Sequence, residues 1–468
     1  MGKNSLTCLI LKAFILSVSL SSIFLPGQTL FAQSGVKIWE EPLVIPTYLV
    51  QAPEPNPTFY NGRAYQGAKG PVYPYPFWDR LTDIRKDLTY QAVYLENQYV
   101  KICVLPEIGG RVFSGLDKTN NYDFIYRQHV IKPALIGMLG AWISGGVEWN
   151  IPHHHRATTF MAVDHTIVKN PDGSATIWTG ELELRHRTRW LVGLTLKPDS
   201  SAIDVTVKIL NRTPLAHSML CFANVAIHAN KEYQVIFPPD AEFATFHGKN
   251  QFSRWPISTE TYNRQDYTKG VDVSWWKNHA APTSFFAWEN EGDFLAGYDH
   301  GKDAGVAFIG DHNFVPGKKL WTWGTGPDGR LWEKLLTETD GPYAELMFGA
   351  YSDNQPDYSW TQPYEVRTIR QTWFPIRKIA GMKAANKDAA CNLAMTEKGT
   401  AAIGFYTPAE YRDARILLKS GEKTIYEEKI AIGPGQPYLK KDSAPFGNQR
   451  RISRFGLAYI RWQGTHQL

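Results

Sequence analysis

Between Trp142 and Asp164 the chain reads WISGGVEWNIPHHHRATTFMAVD, a mixture of residue types that an ordinary core strand does not need. It sets one carboxylate, Glu148, beside the indole of Trp149, just after the Gly145-Gly146 pair, and follows with His153, His154 and His155. A carboxyl next to an indole is desolvated, which raises its pKa and suits it to act as a general acid; the alternative is a salt bridge to an arginine. Adjacent imidazoles alternate in direction along a strand, so at most two of the three share a face. Imidazoles can donate to sugar hydroxyls, shuttle protons or bind a metal. Ligation by sequence neighbours is awkward and no Cys/His/Asp spacing fits zinc, so ligand contact ranks first, structural hydrogen bonding second and metal last.

Other polar residues interrupt apolar strand patterns. His228 ends FANVAIHAN, as a capped core residue or a proton-transfer group. Glu345 is the single carboxylate of PYAELMFGAY, and a buried carboxylate without a partner costs several kcal/mol, so it is paired, protonated or useful. Asp353 follows in YSDNQPDYSW, where a turn is equally served. Asp299-His300 and Asp311-His312 are Asp-His pairs of the kind that cap turns. Trp321 and Trp323 alternate with Thr322, so both indoles share one face, as core or as a sugar-stacking platform. Hydrolysis of a glycosidic bond needs two flanking carboxyls, whereas epimerisation at an anomeric carbon needs an acid and a base on opposite sides of the ring. Glu148, His228 and Glu345 are the right types for either.

Strands must position these groups. From Tyr90 onward short aromatic or β-branched runs are closed by Gly, Asn, Asp or Pro, and no amphipathic helix of 12 residues is evident before Pro375. Regular strands over residues 34–376 predict a large antiparallel sandwich. Residues 377–388 read as a linker, 389–437 as part of an immunoglobulin-like β-sandwich with fewer strands than the usual seven, and 438–468 as a basic tail. Residues 1–33 read as a secretory signal, with Lys3, an apolar run and Ala32 near the expected cleavage point, so export to the periplasm or beyond is expected. No transmembrane segment is expected after signal removal. Cys8 lies in that signal, leaving Cys103, Cys221 and Cys391, which allow at most one bridge. The net charge of +5 is scattered, which argues against nucleic acid, and no P-loop or dinucleotide fingerprint suggests a cofactor.

The segments PEIGGRV (106–112), YDFIYRQ, VIKPALIG, WISGGVEWNIPHHHR, FANVAIHAN, GYDHG, WTWG and SDNQPDYSW carry a resemblance. Through them residues 36–375 resemble an uncharacterised bacterial family of galactose-mutarotase-like domains, domain of unknown function 5107. Longer relatives often add tetratricopeptide repeats. The resemblance implies a β-supersandwich, followed here by the smaller sandwich. It also implies that Arg111 holds a sugar, His228 donates a proton and Glu345 acts as base. The first catalytic histidine usual in sugar mutarotases of this fold, soon after the arginine, has no clear counterpart, and His129 or the 153–155 cluster is the candidate replacement. The sequence thus predicts an exported carbohydrate-active protein with a carbohydrate ligand. Glu148, Glu345 and His228 are its expected catalytic groups. Arg111, Trp149, His153, His154, His155, Asp299, His300, Trp323 and Asp353 are expected to contact substrate. Glycoside hydrolysis, with Glu148 as acid and Glu345 as base, ranks ahead of a non-catalytic binding module and of an aldose 1-epimerase.

Overall fold

The strand Ile203–Asn211 shows the rule that builds the molecule. Ile203, Val205, Val207 and Ile209 are buried, while Asp204, Thr206 and Lys208 face outward, as a pleat of period two requires. The computed structural model describes residues 35–54, 58–59, 72–351, 358–395, 401–420 and 423–443. The expected signal (1–33), Asp353 and the chain beyond 443 lie outside them.

Two large antiparallel sheets face one another. The first, of 12 strands, runs in the order 37–50, 81–96, 100–105, 111–117, 147–150, 221–228, 343–350, 317–322, 283–288, 243–245 and 252–254, with Tyr122–Ile125 paired to Arg111–Asp117. The second, of 8 strands, runs 164–169, 175–183, 188–196, 203–211, 366–377, 304–309, 294–299 and 233–236. One apolar cluster fills the space between them, with Trp149, Val225, Leu346 and Phe348 from the first sheet against Trp190, Val207 and Trp373 from the second. The all-β supersandwich expected from the sequence is therefore the fold. The ten-residue helix Pro327–Leu336 is the one α-helix among the described residues.

A smaller β unit follows. Its four-stranded sheet joins 384–385, 390–395, 401–406 and 438–443, and a hairpin pairs 411–420 with 423–432 over Ile403, Phe405, Ile416 and Leu418. The start of the expected basic tail is thus a strand: Ile403 pairs with Lys440. Ile379 and Met382, in the segment read as a linker, are buried with Phe374 and Tyr406. A linker-like composition conceals an apolar contact here.

What matters for chemistry is the outer face of the first sheet. Because Val147 and Trp149 point into the core, Glu148 and Asn150 must point away from it. The same parity puts Phe222, Asn224 and Ala226 outward on Cys221–His228, Tyr343, Glu345 and Met347 outward on Tyr343–Ala350, and Lys319 and Trp321 outward on Gly317–Thr322. The register pairs Glu148 with Asn224, Ala226 with Glu345 and Glu345 with Trp321. Gly145 and Gly146 swing the chain into this register at φ of 82° and 66°. A Cβ on Gly146 would lie 2.1 Å from the carbonyl oxygen of Val112. Gly146→Ala is therefore expected to lower the free energy of unfolding by at least about 1–3 kcal/mol, the scale of one forced backbone conformation, measured as the shift in urea midpoint at unchanged slope. A loss below about 0.5 kcal/mol would refute this account of the turn.

Candidate active site

Glu148 stands at the end of a short chain of contacts leading outward. Its Oε2 accepts a hydrogen bond from Trp142 Nε1 at 2.9 Å and faces His155 Nδ1 at 3.0 Å, while Oε1 accepts from Thr159 Oγ1 at 2.6 Å. A carboxylate can only accept, so His155 Nδ1 carries a proton and Nε2 is the ring atom left for other partners. Arg111 is buried against this group and donates Nη1 to the Gly145 carbonyl. Burial alone would favour the protonated acid. The positive charge of His155, its hydrogen bond and the Arg111 guanidinium outweigh that and hold Glu148 well below the usual carboxylate range. Burial likewise disfavours the His155 cation, but the charge of Glu148 and its hydrogen bond raise the pKa of the imidazole. The expected general acid is therefore an ionised carboxylate that orients and charges a histidine.

His155 opens onto a pocket of about 150 Å³ lined also by Ile136, Trp142, Phe222, His247, Lys319, Trp321, Trp323, Glu345 and Met347. Glu345 accepts from Tyr343 Oη at 2.9 Å and from Asn224 Nδ2 at 3.1 Å. Burial raises its pKa, with His155 and Lys319 opposing. The Lys319 ammonium sits 4.7 Å from the Phe286 ring centroid, 5.9 Å from that of Trp321 and 3.3 Å from His247 Nε2. Burial lowers its pKa to about 7 against the pull of Glu345. Ser284 Oγ lies 2.6 Å from His247 Nδ1. One cavity thus presents a carboxylate and an imidazolium between indole rings, the pairing of base and acid that proton transfer on a small polar ring requires.

Of the residues singled out from the sequence, Glu345, His155, Trp321 and Trp323 line this pocket. Glu148 and Arg111 stand behind it, 1% and 3% exposed. His154 packs edge-on to His155 and meets Tyr358 Oη at 3.2 Å, and burial lowers its pKa to about 4. His153 turns to His186 and Tyr358, each ring 5.1 Å away, with its pKa lowered to about 3 by burial.

Several expectations are corrected. Trp149 belongs to the sandwich core, stacked on Trp373 at 5.6 Å, because it has the opposite parity to Glu148. His228 donates Nε2 to the Asp123 carbonyl at 2.8 Å and packs against Tyr122 and Tyr126, so it does not reach the pocket. Asp299 caps a turn in the second sheet, accepting from the amides of Gly301 and Lys302 and from Asn230 Nδ2. His300 stacks on Trp275 at 4.9 Å and meets Gln234 Oε1 at 3.1 Å. His129 pairs at the surface with Asp340 at 2.6 Å. Sequence reasoning passed over Lys319, His247 and Trp142, and it raised Trp321 as core or stacking platform without counting it among the substrate contacts. Lys319 was within reach, since extending the Trp321/Trp323 alternation two residues back lands on it.

The family model described as "Domain of unknown function (DUF5107)" matches residues 68–376, and one described as "YphG-like protein, second domain" matches 384–450. A solved TPR-domain containing protein from Parabacteroides distasonis is 22% identical, with a TM-score of 0.64 over 75% of this chain and 58% of that one. The chain therefore spans little more than half the length of that relative. Galactose mutarotase-like proteins from Clostridium acetobutylicum and Lactobacillus casei are each 11% identical. Their TM-scores are 0.43 and 0.39, covering 62% and 61% of this chain and 96% and 99% of theirs.

Proposed function

The chain belongs to the DUF5107 family, and from its pocket we propose that it binds a sugar and interconverts the anomers by acid/base catalysis. Glu345 takes the proton from the anomeric hydroxyl as His155 gives one to the ring oxygen, the ring opens to the aldehyde, and reclosure on either face of the carbonyl restores both protons. The observation that carries this reading is the pair itself: a His155 ring charged by Glu148 at 3.0 Å, and the Glu345 carboxylate, lining one aromatic cavity. Trp321 and Trp323 offer apolar faces for the sugar ring. Hydrolysis with Glu148 as acid is the weaker reading. That carboxylate faces Trp142, His155 and Thr159, stands ionised and is 1% exposed, so it has neither a proton to give nor access to a glycosidic oxygen.

The test is magnetisation exchange between anomers of a panel of aldoses, observed by NMR with and without protein. Acceleration above the buffer rate supports the proposal. Sugar binding without acceleration would leave a binding module, and release of reducing ends from an oligosaccharide would restore the hydrolase. His228→Ala is expected to leave the exchange rate within about threefold, yet to lower stability by about 1–3 kcal/mol by stranding the Asp123 carbonyl. A hundredfold loss of rate would return His228 to the mechanism. Export is a further part of the proposal, resting on residues 1–33, and is tested by the N-terminus of the protein recovered from a periplasmic extract of the cells that make it.

A further inference from the structure

Lys319 has no part in the proton transfers above, although its side chain forms a wall of the same pocket and the residue is only 3% exposed. A lysine that merely solubilised a surface would not be laid between the rings of Phe286 and Trp321, where an ammonium is poorly solvated. His247 Nε2 stands 3.3 Å from its Nζ, and Glu345 and His155 line the same pocket, a set that can supply and remove protons. We propose that Lys319 is a carbonyl-capturing lysine, whose amine condenses with the aldehyde of an open-chain aldose or another small aldehyde in the pocket to give an imine.

The inference rests on the reading of the pocket as one that opens aldoses, because ring opening delivers an aldehyde beside this amine. The Nζ lone pair forms a bond to the carbonyl carbon while the carbonyl π pair moves to oxygen, which takes up a proton. The carbinolamine then loses its hydroxyl as water, with a proton from Glu345 or His155, as the nitrogen lone pair closes a C=N bond to Lys319; the two protons shed by Nζ return to the groups that protonated the oxygen, so the pocket ends in its starting state. Aldehyde and amine become imine and water, and the reverse step releases the sugar. The chemistry needs an uncharged amine, which burial favours here: the Lys319 pKa is lowered to about 7.

The experiment is reductive trapping. The full chain is held at pH 7 with D-glyceraldehyde and sodium cyanoborohydride, and modified lysines are located by peptide mass. An ordinary amine with a pKa near 10.4 is neutral to about one part in 10³ at that pH, whereas one titrating near neutrality is about half neutral. Lys319 is therefore expected to gain the reduced adduct at least about 10²-fold faster than surface lysines, and Lys319→Arg or Lys319→Met to lose the fast adduct at an unchanged circular dichroism spectrum. If neither variant folds, the adduct map of the unaltered chain decides alone. An unmodified Lys319, or one labelled no faster than surface lysines, overturns the inference. Anomer exchange without trapping would sink the lysine's role and spare the anomer reading. Trapping without anomer exchange would do the reverse.

Discussion

Replacing Glu345 by glutamine is expected to slow anomer interconversion by about 10²–10⁴-fold, the usual contribution of one positioned proton-transfer group. Glutamine keeps the length and much of the shape, and its carbonyl oxygen still accepts from Tyr343 Oη or Asn224 Nδ2. What it loses is the lone pair that takes the anomeric proton. The pH profile of the unaltered protein carries the same information. Burial raises the pKa of Glu345 above 4.5, so the base is lost to protonation as pH falls through that raised value. Glu148 raises His155 above 6.5, so the acid is lost as pH rises through it. A bell with both limbs follows, and Glu345→Gln should lose the acid limb along with the rate. A variant within tenfold of the original rate, still showing that limb, would remove Glu345 from the chemistry.

The strands, and with them the fold, were legible because burial follows period two: Ile203–Asn211 can be sorted into core and surface by counting. Glu345 was legible for the same reason, as a lone carboxylate in a strand otherwise made for a core. Counting also carried information that the sequence reading did not use. Glu148 and Trp149 cannot share a face, so placing both in the site was inconsistent, and Trp142 fills the role given to Trp149. The histidines were harder. They lie in a turn where His155 has φ of 46°, and no period tells which ring reaches the pocket. The choice among them is made by Glu148 and Tyr358, contacts that only the folded chain creates. Asp299 and His228 misled because a polar residue at a strand end reads alike whether it caps a turn, binds a carbonyl or does chemistry. The ionisation of Glu148 was only half legible: a salt bridge to an arginine was the alternative the sequence offered, but Arg111 comes from a separate segment and His155 returns across a turn, and their charges decide it.

Glu148→Gln is expected to be the most destabilising of the polar substitutions around the pocket, by about 3–5 kcal/mol, because it removes one partner of a buried charge cluster and leaves Arg111 and His155 with Glu345 as their remaining carboxylate. Against a total stability of roughly 5–15 kcal/mol that is a large fraction, visible as a drop in urea midpoint. The dependence on pH separates this cause from mere loss of packing. A carboxylate whose pKa is depressed on folding stabilises above its unfolded value, near 4.5, and that contribution fades as pH falls. A histidine whose pKa is raised stabilises below its unfolded value, near 6.5, and that contribution fades as pH rises through the folded value. The gap between the parent and Glu148→Gln should therefore be widest between pH 4.5 and 6.5 and narrow on either side. In the variant the imidazole keeps Glu345 but loses the charge and hydrogen bond of Glu148 that offset its burial, so its pKa should fall and less of it should be charged, and anomer interconversion would fall as well, although Glu148 itself never meets the sugar. A gap that stays constant with pH, or one under 1 kcal/mol by the same urea measurement, would mean that Glu148 fills space without setting the charge of His155.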